Sequence, residues 1–405
     1  MNAVGIDVSK GKSTIAILRP FGEVIASPFE VCHTASDLDK LVKLIKKLKG
    51  ETKILMEQTS KYHQPIARFL NQAGLFVTVI NPILSHNYGK QTSIRRVKTD
   101  TQDAVKLASM ALDRWLSLKR YVPEDDIRSA LKSLCRQYNH ITKLKIVLKN
   151  NLISLLDQTF PGINSFMYSS VKKADGHEKW IDFVSEFWHC ECVSGLSLKT
   201  FKHRLQRWCT KFSYHCGDNR AETIHAYSLN QYPTLPKEKS SELLIMQAVR
   251  QLNMVIESLS AYLNQMRELC ALLPEHDLVM AMHGVGGTLG PQLIAELGDV
   301  RRFYDKRALV AFAGIDAPPY QSGKFESRNR NISKRGSPSL RKTLFMVMTV
   351  ILQRSHQHEP VFQFIDKKRA EGKHFYVYMV AGINKFLRIY YAKVKEYLNS
   401  IEKPT

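Results

Sequence analysis

The spacing of apolar residues changes along the chain, and the change divides it. Residues 2–8 and 13–18 are short apolar runs on either side of Ser9-Lys10-Gly11-Lys12, which predicts two strands joined by a hairpin turn. A third strand is predicted around 23–31. Leu38, Leu41, Leu44, Ile45 and Leu48 then recur at helical spacing up to Gly50. A strand at 53–57, a helix at 65–72 stopped by Gly74, and a strand at 76–80 follow. Strands first, then strands alternating with helices, predict a mixed sheet flanked by helices, with a helix around Asp100 packed on it. This is the order expected of an RNase H-like domain.

The middle of the chain has a longer period. Ile127, Leu131, Leu134, Tyr138, Ile141, Leu148, Leu152 and Leu155 nearly follow a heptad over 127–156, with Lys145 at one seam position. Residues 241–273 repeat the pattern through Ile245, Val249, Leu252, Ile256, Leu259, Leu263, Met266, Cys270 and Leu273. Such spacing suits long coiled-coil helices. An antiparallel pair within one chain, a subunit interface and an ordinary bundle all satisfy it. Between them, 160–235 reads as an irregular insertion rich in aromatics, His and Cys, closed by Pro233 and Pro236. The expected domains are 1–122, 123–275 with the segment 160–235 inserted, and a mostly helical 276–405.

In that last part, His283-Gly284-Val285-Gly286 precedes the apolar helix Leu289–Leu297. This is a helix-hairpin-helix-like pattern, in which Gly284 and Gly286 let backbone N–H groups approach a phosphate. A plain helical hairpin is the alternative. Helical stretches are also expected at 345–354 and 375–398.

Composition narrows the partners. Of 405 residues, 44% are hydrophobic, which excludes global disorder; 59 Lys and Arg against 37 Asp and Glu leave a net charge of +22. A surplus of that size favours a polyanion, most often nucleic acid. Seven cysteines, odd in number and irregular in spacing, fit reduced thiols in a cytoplasmic protein. The sequence shows neither a signal peptide nor a membrane span.

Four carboxylates then stand out: Asp7, Glu57, Asp100 and Asp103. Asp7 and Glu57 follow apolar runs, where a charge costs free energy unless compensated. Asp100 and Asp103, three apart, share a helix face. Hard oxygen ligands from separate elements suit Mg²⁺, and two such ions can activate a nucleophile and stabilise the leaving oxygen of a phosphodiester. Mn²⁺ would fit the same ligands. An actin-like ATP-binding hairpin also begins Gly-Ile-Asp, but it would require a second phosphate loop and does not explain Lys98–Ala104.

A second candidate is Ser322, in the loop Tyr320-Gln321-Ser322-Gly323 ahead of the basic run Arg328, Arg330, Lys334, Arg335 and, further on, Arg341. Arginines can hold a phosphate beside a serine hydroxyl. On chemistry alone Ser327, Ser333 and Ser337 compete with it.

Taken together the phrases Gly5-Ile6-Asp7-Val8-Ser9-Lys10, Glu57-x-Thr59-x-x-Tyr62, Asn81-Pro82, Lys98-Thr99-Asp100-x-x-Asp103-Ala104, Gly284-Val285-Gly286, Phe312-Ala313-Gly314, Tyr320-Gln321-Ser322-Gly323 and Ile332–Gly336 through Leu340-Arg341 form a series. In this order the chain resembles the DEDD-type transposases of the insertion-sequence one-ten family, which includes pilin-gene invertases. The resemblance implies a RuvC-like N-terminal domain, a coiled-coil linker and a C-terminal transposase domain. It implies Mg²⁺ at Asp7, Glu57, Asp100 and Asp103, and Ser322 as a nucleophile that joins transiently to DNA. It implies donor and target double-stranded DNA, a structured guide RNA, and homo-oligomers, dimeric or tetrameric, with no membrane role. Lys98, Gly284, Gly286, Arg328, Arg330, Lys334, Arg335 and Arg341 are the expected nucleic-acid contacts. Two departures stand out. Ser60 replaces the glycine usual after the Thr of the Glu57 phrase, and 160–235 is longer than usual. The Cys and His residues of that insertion match no standard zinc spacing. A RuvC-like nuclease using water and a non-catalytic nucleic-acid binder are the competing functions.

Overall fold

The computed structural model describes residues 1–92, 99–169, 176–217, 219–319, 321–322, 325–327, 330–354 and 357–401. The chain divides into two compact units, Met1–Glu124 and Asp125–Thr405.

Unit 1 holds strands β1 (Asn2–Val8), β2 (Lys12–Leu18), β3 (Val24–Cys32), β4 (Thr52–Glu57) and β5 (Phe76–Ile80). Its helices are α1 (Ala35–Lys46), α2 (His63–Gln72), α3 (Pro82–Thr92) and α4 (Asp100–Asp113). The five-stranded sheet has the order β3-β2-β1-β4-β5. β1, β2 and β3 pair antiparallel, whereas β4 runs parallel to β1 and β5 parallel to β4. This is the mixed, helix-flanked sheet that the apolar pattern predicts.

Side-chain alternation sorts the two faces. Val4, Ile6, Val8, Ile54 and Met56 pack with Leu38, Leu41 and Ile45 of α1 and Ile66 and Leu70 of α2. Ala3 and Leu55 point the other way, onto Leu107, Ala108 and Ala111 of α4. Gly5 shares the α4 face. A Cβ there would collide with the carbonyl oxygen of Ala104 and the backbone of Ala108. Glycine thus lets α4 lie directly on β1.

Unit 2 is mostly helical. Helix α5 (Asp126–Thr159) leads through five short helices, α6 (Ile163–Phe166), α7 (Lys179–Val184), α8 (Glu191–Ser194), α9 (Leu198–Phe212) and α10 (Arg220–Leu229), to helix α11 (Lys239–Ala271). Leu131 and Cys135 pack with Met266 and Cys270, while Leu152 and Leu156 pack with Ile245 and Leu252. Start meets end, so α5 and α11 pair antiparallel within the chain. The expectation of an irregular insertion is corrected: 160–235 folds largely as helices. They close around an aromatic core that includes Phe160, Trp180, Phe183, Phe187, Phe201 and Trp208. Helices α6, α7 and α8 are too short to show a period by themselves, which hid them from the apolar pattern, whereas α9, with Phe201, Leu205 and Trp208 buried along one face, was long enough to be read and was missed. Its cysteines carry no disulfide.

The rest of unit 2 comprises α12 (His276–Met280), α13 (Leu289–Leu297), α14 (Lys306–Ala313), the paired strands β6 (Gln321–Ser322) and β7 (Phe325–Glu326), α15 (Pro338–Arg354), α16 (Pro360–Ala370) and α17 (Phe375–Ile401). Helix α16 has no counterpart among the sequence expectations. A buried salt bridge ties the start of α5 to this core: Arg128 bonds Asp125 at 2.8 Å and the buried Glu275. Among the described residues no helix is long and apolar enough to cross a membrane.

Replacing Gly5 with Ala forces α4 off the sheet. Overpacking at this backbone contact is expected to cost about 2–3 kcal/mol, read as a lower denaturation midpoint of the full chain, with loss of any activity that depends on α4.

Candidate functional site

The carboxylates of unit 1 are brought together by register. Ile6 of β1 pairs with Met56 of β4 in a parallel ladder. The next residues, Asp7 and Glu57, therefore stand side by side at the C-terminal ends of adjacent central strands. Alternation puts both on the α4 face. Asp7 is the next-to-last residue of β1.

Helix α4 supplies the other two. The Thr99 hydroxyl caps it by accepting the Gln102 N–H at 3.3 Å, and Asp100 and Asp103 fall in its first turn. Acidic side chains are favoured there by the helix dipole. With Ala104 pressed on Gly5, the preceding turn lies next to Asp7. The electrostatics of Asp7 register this. Burial, then the charges of Asp103, Asp100 and Glu57 in that order, push its carboxyl up to about 6, with Lys106 partly offsetting them.

Two of the four carboxylates have partners. Lys106, one turn on in α4, bonds Asp103. The Ser85 hydroxyl donates to Glu57 Oε2 at 2.5 Å. Sequence reasoning missed Ser85. The Asn81-Pro82 phrase delivers it: Asn81 Oδ1 accepts the Ile83 N–H at 3.0 Å and starts α3, and Ser85 lies one turn later. A serine three residues after a helix-starting Pro was the available signal.

Ser60 keeps the turn after Glu57. Its φ is +46°, the left-handed region that glycine enters freely and serine at a cost. The departure from glycine therefore leaves the backbone path intact, and Thr59 N–H still bonds Glu57 O at 2.9 Å.

An all-oxygen donor set with surplus negative charge is chemically suited to a hard divalent cation. Among the described residues, however, no group of three or more His, Cys, Asp or Glu side chains stands in a metal-holding arrangement. Glu57 is turned to Ser85 and Asp103 to Lys106. Ion binding here would require those contacts to be exchanged for the metal.

The second candidate region lies within unit 2. Ser322 pairs with Phe325 across the β6–β7 hairpin. The chain returning from it is fastened to the end of α14. Lys334 N–H bonds Gly314 O at 3.0 Å, and Ser337 N–H bonds Phe312 O at 2.8 Å. The two glycines make this possible: a Cβ on Gly314 would lie 2.5 Å from Gly336 N, and one on Gly336 would strike Phe312 O. Arg341 closes the junction by donating to Ala313 O at 3.0 Å and Gly336 O at 3.2 Å. The phrases Phe312–Gly314 and Ile332–Arg341 are thus one structural joint.

Two rival serines are committed to that joint. The Ser333 hydroxyl donates to Asp316 Oδ1 at 2.5 Å. Ser337 accepts Leu340 N–H at the start of α15 and donates to the buried Glu296 at 3.0 Å. Lys334 and Arg335 are exposed, as is Arg330. Lys98 and Arg328 lie outside the described residues. Gly284, at φ +78°, faces α15, where a Cβ would meet Ile351 at 2.6 Å, whereas Gly286 borders open space. Gly284 is therefore required by packing, and Gly286 alone of the pair leaves its backbone approachable.

Comparison with known proteins gives this arrangement a family. Residues 4–161 match a DEDD transposase family of IS110 type, and residues 276–363 match the family described as transposase IS116/IS110/IS902. The two matches together span well over half of the chain. A pilin gene-inverting protein of Moraxella bovis is 22% identical over 85% of this chain and 80% of its own. The insertion element IS116 uncharacterized 44.8 kDa protein of Streptomyces clavuligerus is 25% identical over 68% of this chain, which spans 65% of that relative. Among solved structures, RuvC of T. thermophilus in complex with a Holliday junction substrate aligns with 30% of this chain at 11% identity and a TM-score of 0.23. On the strength of the two family matches, one running through unit 1 and helix α5 and the other beginning just after α11, this chain belongs to the IS110 family of transposases.

Proposed function

We propose that the protein is a DNA recombinase that cuts and rejoins strands with Mg²⁺ held by Asp7, Glu57, Asp100 and Asp103 and with Ser322 as nucleophile. The observation that carries this reading is the convergence of three carboxylates on a partly buried Asp7; burial first and their charges next push its carboxyl up to about 6. The bound ion, Mg²⁺ or Mn²⁺, would supply charge neutralisation at the reacting phosphate. Ser85 would orient Glu57, and Lys106 would release Asp103 as the ion binds.

The Ser322 hydroxyl attacks phosphorus, forming an Oγ–P bond while the P–O3′ bond breaks and the 3′-oxygen leaves with a proton. A 3′-hydroxyl of the partner strand then attacks the serine ester and frees Ser322. One P–O bond is exchanged for another at each step, so no nucleotide triphosphate is consumed. The engagement of Ser333 and Ser337 in the joint favours Ser322 among the nearby serines. Arg330, Lys334, Arg335 and Arg341, together with Lys98 and Arg328, would contact phosphates and position the nucleic acid without reading its sequence. Donor and target DNA, a structured guide RNA and a dimer or tetramer complete the proposal, on the family resemblance.

The trapping experiment incubates the protein and Mg²⁺ with supercoiled DNA carrying the sequences that flank its own gene, then denatures. A covalent protein–DNA adduct is expected, absent in Ser322→Ala and retained in Ser327→Ala. Strand cleavage in Ser322→Ala should fall by roughly four orders of magnitude or more, the scale seen when a nucleophile is removed. Cleavage without an adduct would instead assign the attack to water.

The charge cluster also makes a stability prediction. The native pKa of Asp7 lies above its ordinary 3.8, so the native state binds more protons than the unfolded chain between those values. The stability contribution is present below pH ~4 and is lost as pH rises through about 6. Asp7→Asn should therefore stabilise the metal-free protein at neutral pH, by about 1 kcal/mol after discounting for solvent screening, or roughly 2–4 °C in melting temperature. Adding Mg²⁺ should raise the wild-type melting temperature and leave that of Asp7→Asn nearly unmoved. Equal metal responses would count against the ligand assignment.

Neutralising Arg330 and Lys334 together should weaken DNA binding and reduce the slope of log affinity against log salt by about 2. An unchanged slope would remove them from the phosphate contacts.

A further inference from the structure

Unit 2 contains a cavity of about 1170 Å³ that shares Arg330, Lys334 and Arg341 with the proposed phosphate contacts but whose apolar and aromatic lining they leave unexplained. It opens beside the joint that carries the β6–β7 hairpin. Its cations come from four places in the chain: Lys306 and Arg307 on α14, Arg330 and Lys334 on the basic run, Arg341 and Lys342 on α15, and Arg388 on α17. Against these seven cations the lining offers one carboxylate, Asp316, which is already bonded by Ser333. Such a surplus favours an anionic occupant.

The interior has a different character. Val310, Ile315, Ile332 and Val380 form an apolar floor. Phe345 and Tyr376 line the cavity too, with ring centroids 6.4 Å apart, roughly edge to face. Tyr376 is 63% exposed, and its neighbours Phe375 and Val377 are exposed as well. Aromatic residues clustered at a surface have usually been kept there for contact with something.

A duplex presents phosphates and hides the faces of its bases. An apolar, aromatic floor would gain nothing from it. An unpaired strand presents both, phosphates outside and π faces inside, and the cavity has room for a few nucleotides. We propose that this cavity holds a short unpaired stretch of nucleic acid, with a base stacked on Tyr376 and phosphates on the cationic rim. The inference rests on the reading of the protein as a recombinase, since exchange of strands passes through unpaired segments. It adds where one of them is held.

The test measures anisotropy of labelled oligonucleotides with the full-length protein. Short oligo-dT, oligo-rU and a duplex hairpin of the same length are compared, the first two distinguishing DNA from RNA as the source of the strand. At least one single strand should bind about tenfold more tightly than the duplex. Tyr376→Ala should weaken that binding about tenfold, within the range known for loss of one base–aromatic stack. Tyr376→Phe should restore it, which a merely unfolded variant would not show. Arg388→Gln should weaken binding and lower the salt slope by about 1. Asp7→Asn, in the other unit, should retain full oligonucleotide affinity while losing cleavage. Tyr376→Ala binding at wild-type strength, or a duplex bound as well as either single strand, overturns the cavity assignment and leaves the recombinase reading standing. Tyr376-dependent binding by a protein that never cuts DNA does the reverse.

Discussion

The contact of α4 with β1 through the bare backbone of Gly5 is the constraint on which unit 1 depends. Any larger residue at position 5 would hold the helix away from the sheet. The helix brings two carboxylates on its first turn, and the sheet brings two more at the ends of adjacent parallel strands. Side-chain reach is short, so the charges of the helix pair bear on Asp7 only if helix and sheet lie at backbone distance. The concentrated charge that results makes this region poor at holding itself together and well suited to a hard cation.

Unit 2 uses the same device for a different end. Gly314 and Gly336 let two backbone segments touch, and Arg341 bonds across them. Here close approach fixes the base of a hairpin instead of a charge cluster. It also commits Ser333 and Ser337 to structural bonds, leaving them poorly placed to act as nucleophiles.

Much of unit 1 was readable in the sequence because strand alternation and helical spacing are strong over its length. The position of Asp7 and Glu57 after apolar runs marked both, while their shared face came only with the register of β1 against β4. Ser85 was missed: its place three residues after Pro82 marked it as a first-turn serine, but its bond to Glu57 depends on where α3 starts in space. Ser60 reads as a departure from a glycine position, yet only the left-handed φ shows that the turn survived it. In the insertion, helices of four to six residues such as α6, α7 and α8 are shorter than the window in which a period can be recognised. Their aromatic core is assembled from residues far apart in the chain, and no local pattern records it. The seam residues of α5 and α11 were legible, but their direction of pairing needed the three-dimensional partners.

The joint at Gly314 and Gly336 separates what is fixed from what is free. The segment between them begins and ends at one clamp, with Ile315, Asp316 and Ser333 still belonging to it, so sequence changes inside that boundary need not disturb the helices behind it. A graft that exchanged this segment for that of a relative would carry over a new hairpin while retaining its anchorage. Replacing either glycine alone would undo the anchorage without touching the hairpin.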